Sequence, residues 1–155
     1  GDVLPKELFD KMRAAKNVGS GLAFTQQVYY GILDFTLHDK YDPTSSQPVV
    51  EVMKELQNKI TLYPYLEGTQ MFAAFGHLMG YAAGYYSYLW ALVYADDMFS
   101  IFDKNGIMDK ATGLKYRDII LANGSSRDEL EMVVEFLGRQ PSQDAFFKAI
   151  GLDVK

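Results

Sequence analysis

The stretch richest in chemistry runs His77-Leu78-Met79-Gly80-Tyr81-Ala82-Ala83-Gly84-Tyr85-Tyr86-Ser87-Tyr88-Leu89-Trp90. It sets one histidine beside two glycines, then places four tyrosines in the eight residues from 81 to 88. Tyr81, Tyr85 and Tyr88 are spaced by four and three, which predicts one helical stripe. Phenols ionise only near pH ~10 and are neutral donors below it. Along the wall of a cleft they could donate to a peptide carbonyl, or to the oxyanion formed when water attacks that carbonyl. Gly80 and Gly84 would let the segment flex and let the backbone approach a ligand. The plainer reading of the same residues is an aromatic core helix behind a flexible turn, because aromatics at helical spacing usually pack inward. Against it, every buried hydroxyl needs a partner, and phenylalanine would fill a core without that demand.

Composition bounds what else the chain can do. It has 155 residues, the size of one domain, with no Cys and only two His, His38 and His77. Absence of Cys excludes a disulfide framework, a thiolate zinc site, an Fe–S cluster and a Cys nucleophile, and fits a reducing compartment. Two distant histidines exclude a His-x-x-x-His metal helix, so no metal ligand is assigned in this chain. The net charge is −5 with no basic run, so nucleic acid is not expected as a partner. Residues Gly1 to Leu8 show no apolar signal core. Residues 71–95 carry no Asp, Glu, Lys or Arg, a length that could span a bilayer. Yet Gly76, Gly80, Gly84, Ser87 and the tyrosines at 81, 85, 86, 88 and 94 suit a helix buried in a large protein better, and no membrane partner is expected.

The elements that must position these residues are helical. Pro5 opens a first helix carrying Leu8, Phe9, Met12 and Ala15 at helical spacing. A second is expected over about Leu22 to Asp39, and a third after Pro48 with Val49, Val52, Met53, Leu56 and Ile60 on one face. The most apolar helix runs from about Tyr85 to Phe102 and needs neighbours on most sides. Further helices are expected over about Lys110 to Ala122, from the capping-box form Ser126-Arg127-Asp128-Glu129 to Gly138, and from Pro141-Ser142 to Gly151. The whole reads as six or seven helices without a convincing strand: an all-α chain, 1–155, forming one helical segment.

Phe75 to Trp90 resembles the glycine- and tyrosine-rich loop of the zinc oligopeptidases related to thimet oligopeptidase, neurolysin, bacterial dipeptidyl carboxypeptidase and mitochondrial intermediate peptidase. The similarity extends through Asp97-Met98-Phe99, Gly113 to Leu121, Gly124-Ser125-Ser126, Phe136-Leu137-Gly138-Arg139 and Asp144-Ala145-Phe146, and covers Leu4 to Leu152. Members of that family are two-lobed, mostly helical peptidases whose channel admits short peptides. Their zinc sits on a His-Glu-x-x-His helix with a further Glu from the next helix, and none of those ligands is in this sequence. By the family's order the chain would be the C-terminal part of the catalytic lobe, beginning just after the third zinc ligand.

The resemblance implies roles residue by residue. His77 matches a loop histidine that helps bind substrate and stabilise the transition state. Tyr88 matches the tyrosine that donates to the oxyanion, Tyr81 and Tyr85 match tyrosines that contact the peptide, and Gly80 and Gly84 match flexible positions of a substrate loop at about 75–88. The four-residue step from His77 to Tyr81 is like that of mitochondrial intermediate peptidase, while Phe136 to Phe146 is more like thimet oligopeptidase. His38 also resembles a family position and is read as structural. The implied function is the substrate- and transition-state-binding part of a zinc metallo-oligopeptidase, inactive alone, with zinc held in the full-length parent and not by this chain. Implied partners are short peptides and the remaining N-terminal part of the peptidase. An intracellular location is expected, the cytoplasm favoured over the mitochondrion. Exposed apolar faces could also drive self-association. The alternative is a non-catalytic helical module that binds a peptide or a partner through its tyrosine face.

Overall fold

The computed structural model describes residues 3–152. Every regular element among the described residues is helical, and the chain is all-α. It divides into two compact units, the first ending at Tyr88 and the second starting at Leu89.

The first unit holds α1 (Lys6–Ala14), α2 (Ser20–Phe35), α3 (Val49–Ile60) and two single turns, α4 (Met71–Ala74) and α5 (His77–Gly80). Prolines 5 and 48 sit at the N-caps of α1 and α3, where a missing N–H costs nothing. α2 begins at Ser20, slightly ahead of the expected Leu22. It then runs on as a π-helical turn, Thr36–Lys40, closed by the Tyr41 amide donating to the Thr36 carbonyl at 2.9 Å. α2 and α3 enclose the core of this unit: Tyr29, Leu33 and Met53 are fully buried, with Tyr30, Leu37, Val50, Leu56, Ile60, Tyr65, Met71 and Phe72 packed around them. Fully burying an apolar side chain such as Leu33 or Met53 contributes about 1.5–3 kcal/mol. The stripe of α1 is not covered in this way: Leu8, Phe9 and Met12 are each about half exposed.

The second unit takes most of α6 (Ser87–Asn105), then α7 (Lys110–Tyr116), a π turn (Arg117–Leu121), a 3-10 turn (Gly124–Ser126), α8 (Glu129–Leu137) and α9 (Asp144–Ile150). Its core is Met132, Val133 and Phe136 from α8 with Phe146 from α9. The Phe136 ring is flanked by Phe102 at 6.1 Å and Tyr116 at 5.6 Å. Gly138 closes α8 at φ +73°, a conformation that favours glycine, and the turn carries Arg139 back to Asp97 of α6. Asp97 is buried and accepts from both Arg139 Nη atoms, at 2.7 and 2.5 Å, and from the Ser142 amide at 2.7 Å. Burial pushes its carboxyl up, but those bonds outweigh it and hold the group below the usual carboxylate range.

Three expectations need correction. The described residues contain nine α-helical segments, the two extra being α4 and α5 in the glycine-interrupted stretch. The cap of α8 is Asp128 rather than Ser126: its carboxylate accepts the Glu131 amide at 3.0 Å, while Ser126 lies in the 3-10 turn. Tyr81, Tyr85 and Tyr88 do not share a helix. α5 stops at Gly80, Ala83 takes a left-handed φ of +57°, and α6 starts only at Ser87. An i to i+3 turn, Gly84 N–H to Tyr81 C=O at 2.8 Å, interrupts the periodicity.

Candidate functional site

Although no helix joins them, the singled-out rings of the first unit meet. The His77 ring centroid lies 5.6 Å from that of Tyr81, 5.2 Å from Tyr85 and 5.7 Å from Tyr88. Tyr85 and Tyr88 are 5.1 Å apart, edge to face. The tertiary fold of the loop, rather than helical spacing, makes this cluster. Tyr81 and Tyr88 are exposed, while His77 and Tyr85 are half-buried, so the cluster has a buried root and an open side.

Its root is aromatic. Tyr85 packs on Phe75 at 5.3 Å and on Tyr30 of α2 at 5.6 Å, and Tyr30 touches the core ring of Tyr29 at 5.5 Å. The Tyr85 hydroxyl donates to Gln27 Oε1 at 2.9 Å. Burial pushes its pKa up, Tyr30 adds to this, and the Gln27 bond acts the other way. Tyr85 is thus held neutral, with its hydroxyl turned toward α2. At the open side, Tyr88 Oη lies 3.0 Å from His77 Nε2. The direction of this bond depends on the imidazole proton. If Nε2 is bare, the phenol donates to it. If Nε2 carries the proton, the ring donates to Oη and leaves the phenol O–H free to donate outward, polarised by the bond it accepts.

The two loop glycines differ. A Cβ at Gly80 would meet nothing within 4 Å, whereas one at Gly84 would lie 3.0 Å from the Tyr81 carbonyl oxygen. Gly84 therefore serves a close backbone approach inside the turn. The one left-handed non-glycine residue among those described is Ala83 between them.

The sequence reading passed over the residue that holds the loop. Asp34 of α2 is fully buried and accepts the Ala83 amide at 3.1 Å and the Tyr85 amide at 2.9 Å. His38, expected to be structural, pairs with it: Nδ1 is 3.0 Å from Asp34 Oδ1 and 2.8 Å from the Asp34 carbonyl, and Nε2 is 3.1 Å from the Leu78 carbonyl. Gln27 and Tyr30 were likewise unmarked. The available signal was an acid inside the apolar face of α2, four residues before a histidine, since a buried charge demands partners.

Among the described residues no group of three or more His, Asp or Glu side chains is placed to hold a metal ion. These residues do not fit the zinc that the family resemblance implies. No described helix is long and apolar enough to cross a membrane.

Comparison with known proteins gives the cluster its context. The chain is 40% identical over 154 residues to oligopeptidase A of Escherichia coli, covering 98% of this chain and 23% of that protein. It is 36% identical over 158 residues to a probable cytosolic oligopeptidase A of Arabidopsis thaliana, covering 98% of this chain and 22% of that one. It is also 36% identical over 158 residues to the chloroplastic/mitochondrial organellar oligopeptidase A of the same plant, covering 98% and 20%. The chain therefore spans about a quarter of the length of the curated relatives it matches, and cytosolic and organellar forms resemble it equally. With the model of that peptidase family matching residues 1–152, and oligopeptidases aligned along 98% of it, this chain belongs to Peptidase family M3.

Proposed function

We propose that this chain is the substrate- and transition-state-binding part of a zinc metallo-oligopeptidase that hydrolyses short peptides. The observation that carries the reading is the His77–Tyr88 contact at 3.0 Å on the open side of a tyrosine cluster. Tyr88 is the oxyanion donor, and His77 orients and polarises it when Nε2 bears the proton. Tyr81, exposed beside His77, contacts the bound peptide. Tyr85, with its hydroxyl on Gln27, offers its ring edge as a rigid floor. Gly84 keeps the turn tight enough to bring the rings together, and Gly80 leaves open space at the end of α5.

In this reading zinc belongs to the part of the peptidase that precedes these residues, and no step here is routed through it. The chain alone binds no zinc stoichiometrically and cleaves no peptide; one tightly bound zinc per chain in metal analysis overturns that. The support is the family and the names of the relatives as oligopeptidases. An intracellular site fits the cytosolic and the organellar relatives alike.

The test is Tyr88→Phe in the peptidase containing this segment, assayed on an internally quenched octapeptide. Turnover is expected to fall about 10²–10³-fold with little change in KM, because an oxyanion donor acts mainly in the transition state. Equal turnover refutes the role. A coding sequence lacking His-Glu-x-x-His upstream of Gly1 replaces the enzyme reading with the non-catalytic binding module.

A further inference from the structure

We propose that Asp34 and His38 are positioning residues of the loop, holding its backbone at residues 78, 83 and 85 so that His77, Tyr81, Tyr85 and Tyr88 converge. Its functional consequence rests on reading that cluster as the peptide-binding wall.

The loop has little structure of its own to do this. α5 is one turn long, and between it and α6 the described backbone bonds are the local ones of the 81–84 turn and the entry to α6. Asp34 supplies what is missing. Its two oxygens take the amides of Ala83 and Tyr85, the residues on either side of Gly84. A left-handed alanine such as Ala83 persists only where its surroundings over-determine it, and a charged acceptor on its own amide does so. The second amide fixes the main chain of Tyr85, whose ring touches those of His77 and Tyr88.

His38 completes the device at the other end of the loop. Both of its ring nitrogens face only oxygen: Asp34 on one side, the Leu78 carbonyl on the other. Only the doubly protonated ring donates to both, because either neutral tautomer turns a lone pair toward an acceptor. On the other side of the carboxylate, Asp34 accepts the two loop amides, so the pair bridges α2 and the loop. From the loop, the partners of the pair are the Leu78 carbonyl and the amides of Ala83 and Tyr85. Leu78 directly follows His77, so one buried pair sets both the histidine and the tyrosine side of the cluster. A side chain that merely filled space between α2 and the loop would not present acceptors in register with two alternate amides.

The test is residue-resolved amide hydrogen exchange by NMR on the ¹⁵N-labelled protein. Asp34→Asn keeps the size of the side chain and one acceptor. Exchange at Ala83 and Tyr85 is expected to accelerate about 10- to 100-fold, with Leu33 and Met53 in the core unchanged. His38→Phe, a second variant independent of the first, is expected to accelerate exchange from Leu78 to Tyr85 selectively. Unchanged exchange at Ala83 and Tyr85, or an equal rise throughout α2 and α3, overturns the proposal. In the peptidase, Asp34→Asn is expected to cost at least about 10-fold in kcat on the octapeptide with a smaller change in KM. If both variants loosen the loop selectively but neither Asp34→Asn nor Tyr88→Phe alters cleavage, the anchor stands and the reading of the cluster as a peptide wall fails.

Discussion

Replacing Asp97 with asparagine is predicted to destabilise the second unit by about 2–3 kcal/mol near neutral pH. Asp97 is 2% exposed and accepts three N–H groups, two from Arg139 and one from Ser142. Asparagine can place its oxygen where Oδ2 stands, keeping the Ser142 amide and one Arg139 bond but with an uncharged acceptor. Its amide group then faces the other Arg139 nitrogen, donor against donor. Breaking a fully buried ion pair costs about 3–5 kcal/mol. The Arg139 side chain is 46% exposed, so water can re-solvate it, which lowers the figure. The pH dependence gives the sharper check. The Asp97 carboxyl is held below its usual range in the folded state, so the pair contributes fully above the unfolded carboxyl value, near pH ~4, and is lost as pH falls through the folded value. Asparagine does not titrate, so wild type and variant should differ most at pH 6–7 and converge below about pH 4. Urea unfolding between pH 7 and pH 3, followed by far-UV circular dichroism and Trp90 fluorescence, measures this. Trp90 shares a cavity of about 350 Å³ with Pro141 and Ser142 and so reports on this corner. A cost below about 0.5 kcal/mol at pH 7, or one that stays constant down to pH 3, refutes the ionic argument.

Two more predictions concern the first unit. Among the described residues the buried Tyr29 hydroxyl has no hydrogen-bond partner, and burial pushes its pKa up to about 12. Tyr29→Phe should therefore stabilise by about 1–2 kcal/mol in urea titrations, since the unmet donor disappears; a loss of stability contradicts this. Gly84→Ala should cost about 1–3 kcal/mol in thermal unfolding, because its Cβ meets the Tyr81 carbonyl oxygen at 3.0 Å, whereas Gly80→Ala, with open space, should stay within about 0.5 kcal/mol. Equal effects at the two glycines refute the close-approach argument.

Much of the helical plan was legible because its signals are local. Pro48, Gly138 and Gly151 act through φ and the missing or freed backbone groups of a single turn, and each lies where its helix begins or ends. The π turns after α2 and α7 were not legible, since a step from i−4 to i−5 bonding leaves the hydrophobic pattern almost unchanged. The cap of α8 moved from Ser126 to Asp128 because both fit the same spacing, and the 3-10 turn claims the serine. Expecting neighbours around α6 was sound for its composition, yet Trp90, Leu92 and Phe99 remain about half exposed in this chain.

For the site, side-chain chemistry was written in the sequence: one histidine and a surplus of phenols in a glycine-broken stretch. So were the local stops that prevent a long helix there. Sequence periodicity alone could only place the tyrosines on a helical stripe. Their convergence on His77 comes instead from a turn at Tyr81–Gly84 and a left-handed Ala83, both pinned by Asp34, which is 49 residues away from Ala83 in sequence. A buried carboxylate chooses its partners by where the chain brings amides within 3.1 Å, and no spacing within one segment encodes that. Residue type thus determined what the loop can donate, and tertiary structure decided where those donors point.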